Sequence, residues 1–123
     1  MVIAAFDPGK NVGYALVDED RRLLDSRVMP LSAIQRFVVP EGATLIMGDG
    51  TGSYAVRDIL LRRNLHVERV DERGTSLEGR NLYFRDHPPG LPWRLLPSGL
   101  WWPPRTIDDY AAYAIALRYL DGR

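Results

Sequence analysis

Apolar runs of strand length alternate with polar turns along the first third of the chain. The run from Val2 to Phe6 is apolar throughout, which is typical of a strand buried on both faces, and it ends in Asp7 before a Pro-Gly turn. A second apolar run, Gly13 to Val17, follows after a short polar stretch, so the two predict a β-hairpin. Leu23 to Met29 predicts a third strand, antiparallel to the second.

The middle of the chain has the pattern of a strand-helix-strand unit. Thr44 to Met47 predicts a buried strand, Ser53 to Asn64 a helix, and His66 to Val70 another strand. A right-handed crossover makes these two strands parallel. Before this unit, the apolar positions between Leu31 and Val38 have the spacing of a short amphipathic helix.

Two more helices are predicted in the last third of the chain, over Thr75 to Phe84 and over Ile107 to Leu120. Thr75 and Thr106 are the predicted N-caps, each with an acidic residue three positions later, as in a capping box; the second of these acids is Asp109. Residues 86–104, between the helices, are rich in Pro and Trp. We expect a lid over the core, or a surface whose aromatics stack on unpaired bases beside Arg85, Arg94 and Arg105.

Composition narrows the class of protein. The 123 residues are 46% hydrophobic and 26% charged, which is ordinary for a soluble globular protein, and we expect one domain over residues 1–123. The absence of cysteine excludes disulfides and thiolate metal sites. No apolar run is long enough to span a bilayer and no signal sequence is visible, so we expect a cytoplasmic protein without a membrane partner. The net charge of zero does not favour general nucleic-acid binding.

Acidic residues follow the ends of predicted core strands. Asp7, Asp49 and Glu72 lie at the carboxyl edge of the sheet if the first strand is parallel to the two later ones, and open α/β sheets place their sites at that edge. Asp7 has a simpler alternative, in which its carboxylate accepts backbone N–H groups of the following turn. The Gly-rich loop around Asp49 either faces a phosphate or is a tight turn with Thr51 or Ser53 as the N-cap.

Carboxylates that converge without His or Cys are typical ligands of hard cations. Asp7, Glu72 and the pair Asp108-Asp109 therefore predict a site for Mg²⁺ or Mn²⁺. Two such ions about 4 Å apart can activate a water and stabilise the leaving oxygen of a phosphodiester. Alternatively, these acids are helix caps and loop residues of a non-catalytic binding or scaffold module.

The order of these motifs resembles that of a known family. Phe6-Asp7-Pro8-Gly9, followed by Gly13-Tyr14-Ala15, resembles the opening motif of RuvC-type Holliday-junction resolvases. The Gly-rich loop, then Val70-Asp71-Glu72-Arg73, then a final helix that opens with Asp, resembles the small YqgF relatives, putative resolvases and precursor ribosomal RNA nucleases. The resemblance covers nearly the whole chain, although the Pro/Trp segment has no counterpart in it.

The resemblance implies a ribonuclease H-like fold: a mixed five-stranded sheet with an antiparallel meander, two parallel strands and helices on both faces. It implies a metal-dependent endonuclease in which Asp7 bridges two ions, Glu72 binds one and orients the attacking water, and Asp109 or Asp108 completes the ligands. The expected partner is nucleic acid, branched DNA or structured RNA, with a homodimer as one arrangement. The expected phosphate contacts are Lys10, Asp49, Thr51 and Arg73, of which Arg73 instead pairs with Asp71 in the reading we favour.

Overall fold

A five-stranded mixed sheet organises the computed structural model, which describes residues 1–50 and 52–122. Its strands lie in the order β3-β2-β1-β4-β5. The first three form an antiparallel meander, and β4 and β5 are both parallel to β1. This confirms the predicted α/β class and the mixed sheet. The strands are β1 (Val2–Asp7), β2 (Val12–Asp18), β3 (Leu23–Met29), β4 (Thr44–Gly48) and β5 (Glu68–Val70).

Helices cover both faces of the sheet, because side chains of the central strand alternate between two apolar clusters. Ile3 and Ala5 pack with residues of α2 and α3 on one face, whereas Ala4 and Phe6 pack with residues of α1 on the other. Among the described residues, none of the helices combines the length and the apolar character that crossing a membrane requires. The helices are α1 (Ser53–Arg62), α2 (Thr75–Asp86) and α3 (Asp108–Asp121).

Helix α3 is the most deeply buried helix, and small residues allow its close packing. Every residue from 109 to 117 is buried, four of them alanines. Gly79 of α2 lies directly against α3, since a Cβ at this position would be 2.7 Å from the backbone of Tyr110 and Ala111. A larger residue at position 79 would separate the two helices, so this contact fixes how α3 lies on the sheet.

The helix predicted between Leu31 and Val38 is confirmed only for its first part. The segment forms a short 3-10 helix, Leu31–Gln35, and continues as irregular chain. A proline at position 40 and the β-branched Val38 and Val39 ahead of it disfavour helical backbone there. Phe37 still reaches the core, where its ring centroid lies 4.5 Å from that of Tyr14.

The predicted N-caps are wrong, because glycine or an apolar residue occupies each cap position. Gly52 and Gly74 precede α1 and α2 with φ of 87° and 81°, a backbone conformation that favours glycine, and Ile107 precedes α3. Among residues 1–50 and 52–122, no side chain caps any of the three helices, which excludes Ser53, Thr75 and Thr106 in that role. Thr51, the other predicted cap of α1, lies outside the described residues.

Candidate active site

Asp7 ends the central strand of the sheet and lies opposite Gly13 of β2. The four residues before it are fully buried, so the strand carries its carboxyl group to the edge of the core. Burial raises the pKa of Asp7 to about 8; a hydrogen bond with the Glu72 carboxyl group and the negative charges of Glu72 and Asp108 act in the same direction. Within the described part of the chain, no backbone hydrogen bond is among the interactions that set the pKa of this carboxyl group. The simpler alternative for Asp7 is therefore wrong.

Glu72 follows β5 and reaches across β4 toward Asp7. Its carboxylate occupies space that two glycines leave open: a Cβ on Gly48 would lie 2.4 Å from Oε2, and a Cβ on Gly50 would lie 1.4 Å from Oε1. The backbone around Glu72 is also held, since its N–H donates to Asp49 Oδ1 at 3.3 Å and its carbonyl accepts the Thr75 hydroxyl at 2.6 Å. The Gly-rich loop thus serves as a cradle for a carboxylate.

Asp108 enters the site from the first residue of α3. The helix can approach β2 this closely because Gly13 has no side chain; a Cβ there would lie 1.9 Å from the Asp108 carbonyl oxygen. Burial, and to a smaller degree the charge of Asp109, raises the pKa of Asp108. Its own charge acts on Asp7, so Asp7, Glu72 and Asp108 form one electrostatic group.

Asp109, the other candidate in this turn, has a different environment. Its carboxylate is buried and accepts two bonds from the Arg105 guanidinium, at 3.0 and 3.2 Å, and a third from the Tyr110 N–H. A carboxylate with a bidentate arginine partner is already compensated. Of the two residues that the sequence offered, the structure places Asp108 with Asp7 and commits Asp109 to an ion pair.

The three acids differ from most other carboxylates of the molecule in having no cationic partner. None of Asp7, Glu72 and Asp108 makes an ion pair with a described residue. Their oxygen donors and the cradle under Glu72 are suited to a hard divalent cation. In the positions of residues 1–50 and 52–122, however, no group of three His, Cys, Asp or Glu residues is arranged to hold a metal ion.

The predicted phosphate contacts have different environments. Lys10, the one lysine of the sequence, is exposed and lines an open cavity of about 610 Å³ together with Asp7, Glu72, Thr75 and Ser76. Arg73 pairs with Asp71 at 3.1 Å, as expected.

Asp49, another predicted contact, does not line this cavity. Asp49 supports the backbone of Glu72, and Thr51 lies outside the described residues. Sequence reasoning missed the contribution of Gly48 and Gly50 to holding Glu72, although their position after a buried strand was a signal that the backbone there is closely approached.

Comparison with known proteins adds no family to this description. No protein-family model matches the sequence, and no curated protein matches it.

Proposed function

We propose that this protein is a divalent-metal-dependent endonuclease with a ribonuclease H-like fold, which hydrolyses phosphodiester bonds of nucleic acids. The observation that carries the proposal is the electrostatic coupling of Asp7 to Glu72 and Asp108, from three distant parts of the chain, with no ion pair to any cationic residue in the described ranges. Half-buried carboxylates that act on one another destabilise a fold, so their presence at the carboxyl edge of the sheet points to a ligand that compensates them.

The architecture supports the ribonuclease H-like part of the proposal. The antiparallel meander, the two added parallel strands and the helices on both faces agree with the fold that the resemblance to RuvC-type and YqgF proteins implied. The acids also follow the motif order of that resemblance: an Asp after the first strand, a Glu in the Val-Asp-Glu-Arg motif and an Asp at the start of the last helix.

The chain's own groups divide the work as follows. Asp7 must release its proton before its oxygens bind a cation, and Glu72 is held over the two glycines with its carboxylate toward Asp7. Asp108 adds negative charge from the third side. A bound Mg²⁺ or Mn²⁺ supplies activation of a water and stabilisation of the leaving oxygen. Lys10, exposed in the same cavity, is placed to attract the substrate phosphate.

Neighbouring residues of α3 provide the sharpest test. In cleavage assays on junction DNA and on structured RNA with Mg²⁺ or Mn²⁺, we expect Asp108→Asn to reduce the rate by at least a hundredfold, with little loss of stability. Asp109→Asn weakens the ion pair with Arg105, so it should lower the melting temperature. At temperatures where this variant is folded, it should retain most of the cleavage rate of wild type. Equal activity of wild type and Asp108→Asn, or no cleavage of either substrate by wild type, would contradict the proposal.

The arrangement of the acids also favours a second candidate, a ribonuclease H-like binding or scaffold module without catalysis. The described positions do not form a ready metal cage, as such a module would predict. Titration with Mn²⁺ distinguishes the two, because a ligand at ten times its dissociation constant stabilises the native state by about 1.4 kcal/mol. A nuclease should show a rising melting temperature that Asp7→Asn removes; the scaffold should show no shift.

A further inference from the structure

A second open cavity lies beside Asp108, at the start of α3. It has a volume of about 430 Å³ and is lined by one continuous stretch, Trp102 to Asp108. Asp108 lines this cavity, and its charge acts on Asp7, which lines the cavity that also holds Lys10. Each of the two cavities is therefore lined by at least one of the three acids, which leaves room beside them for a chain-like substrate.

Trp102 is the most exposed of the large apolar side chains that the structure describes, with 88% of its surface accessible. Its neighbour Trp101 is anchored instead: its ring packs on Phe84 at 5.5 Å between centroids, and its Nε1 donates to the Leu96 carbonyl at 3.0 Å. The sequence predicted for the Pro/Trp segment either a lid over the core or an exposed aromatic surface, and adjacent residues have these two environments. Trp101 covers core, and Trp102 is presented to solvent.

The backbone that carries Trp102 is held on both sides. Arg80 of α2 donates to the carbonyl oxygens of Ser98 at 2.9 Å and Gly99 at 3.2 Å, and also to that of Trp101. Two prolines, at positions 103 and 104, restrict the chain that follows. An aromatic ring on a restrained backbone loses little conformational entropy when it binds a flat partner.

We propose that Trp102 stacks on an unpaired base of the substrate, next to the phosphate held at the acidic group. This inference rests on the proposed nuclease function and narrows its substrate to strands that offer an exposed base, such as gaps, loops or branch points. Stacking on an aromatic ring is worth about 1–3 kcal/mol per base and tolerates any sequence. In a continuous duplex, the neighbouring base pairs already cover the faces of each base.

The charge of Asp108 favours a nucleotide over a second copy of the chain as the occupant of this cavity. An apolar protein surface that covered Trp102 to Asp108 would bury the Asp108 carboxylate without a counter-ion, which is costly. A nucleic-acid strand brings its divalent cation with it, so the same carboxylate is compensated when the strand binds.

Trp93 offers a matched control, because it lies in the same Pro/Trp segment, is 57% exposed and does not line the cavity with Asp108. Binding is measured by fluorescence anisotropy with Ca²⁺ in place of Mg²⁺, on a gapped oligonucleotide and on the continuous duplex. We expect Trp102→Ala to weaken binding of the gapped strand about 5- to 100-fold and of the duplex less than about twofold. Trp93→Ala should change neither, and Trp102→Phe should restore most of the affinity.

Several outcomes would overturn the inference. These are an unchanged affinity of Trp102→Ala, an equal loss in Trp93→Ala, no binding of either oligonucleotide by wild type, or a change from dimer to monomer in Trp102→Ala by light scattering. The last would make this surface a contact between copies of the chain. Failure of the proposed function is separate: selective binding that depends on Trp102, without hydrolysis when Mg²⁺ or Mn²⁺ is supplied, would support stacking and reject the nuclease.

Discussion

Asp7 shows how a single residue links the site to the stability of the fold. Its carboxyl group has a pKa near 8 because it is buried beside Glu72 and Asp108, so it retains its proton at neutral pH in the absence of metal. Metal ligands must be deprotonated. We therefore expect the affinity for Mn²⁺ to rise with pH up to about pH 8 and to level off above it.

Replacement of Asp7 by Asn tests this linkage. The raised pKa means that the native state binds a proton that the unfolded state releases, so wild type should lose stability as the pH rises from about 4 to about 8. Asn cannot ionise, so Asp7→Asn should flatten this loss and be more stable than wild type at pH 8. Urea unfolding in EDTA at several pH values measures the effect.

A matched control is available in Asp71, an exposed carboxylate. The hydrogen bond from the Arg73 side chain lowers the pKa of Asp71, so the linkage has the opposite sign and Asp71→Asn should bring no gain at pH 8. If Asp7→Asn is less stable than wild type at every pH, the Asp7 carboxyl is a structural group rather than an unpaired acid.

The residue scale also shows where the sequence was ambiguous. Asp7 and Glu72 could be predicted because each follows a predicted core strand, and parallel strands bring their ends to one edge. Asp108 and Asp109 could not be separated in this way. Consecutive helical residues point about 100° apart, and which of them faces the sheet depends on how α3 docks. The structure distinguishes them, because Asp109 forms an ion pair with Arg105 whereas the charge of Asp108 acts on Asp7.

At the scale of elements, the loop after β4 positions Glu72 because its glycines have no side chains. Glu72 can extend toward Asp7 because neither Gly48 nor Gly50 has a Cβ. The strands could be predicted from their apolar runs. The glycines after β4 indicated a close approach of some other group, but that this group is the Glu72 carboxylate depends on a contact between distant segments, which no local pattern encodes. The helix predicted after β3 ends early because four apolar positions fit a helical period, whereas Pro40 after them disfavours helical backbone.

Addition of one methyl group to this loop should damage the site and spare the fold. In Gly50→Ala the new Cβ would overlap Glu72 Oε1, the end of a flexible side chain that can turn away. We expect the rise in melting temperature with Mn²⁺ to fall by at least half and cleavage to drop about tenfold or more, with a change of only a few degrees without metal.

The control for this variant is Gly90→Ala, because a Cβ on Gly90 would meet nothing within 4 Å. It should match wild type in metal response and in cleavage. A normal response of Gly50→Ala to Mn²⁺ would show that the position of Glu72 over this loop is irrelevant to metal binding, and would remove one support of the proposed site.

Across the whole molecule, α3 connects two of the three acids. Its first residue is Asp108, and Arg118, ten positions later, donates to the carbonyl oxygens of Asp71 and Arg73 on either side of Glu72, at 3.0 and 2.5 Å. Arg118 also binds Glu78 of α2 at 2.6 Å. The crossover rule predicted that β4 and β5 are parallel, but the contact of Arg118 joins residues 45 and more positions apart and had no signal in the sequence.

Arg118 is therefore a positioning residue, and we expect its replacement to lower the affinity of the proposed site for Mn²⁺. Without its two bonds, the backbone around Glu72 gains freedom that metal binding must remove again. We expect Arg118→Met to weaken Mn²⁺ binding about tenfold and to lower kcat more than it raises KM, with Arg118→Lys intermediate. Arg21→Met removes the ion pair of Arg21 with Asp121 on the same helix and is the control for general loosening of α3. Similar losses of metal affinity in both variants would mean that Arg118 only holds α3 in place. A selective loss in Arg118→Met would show that α3 sets the position of Glu72 through Arg118, ten residues after Asp108.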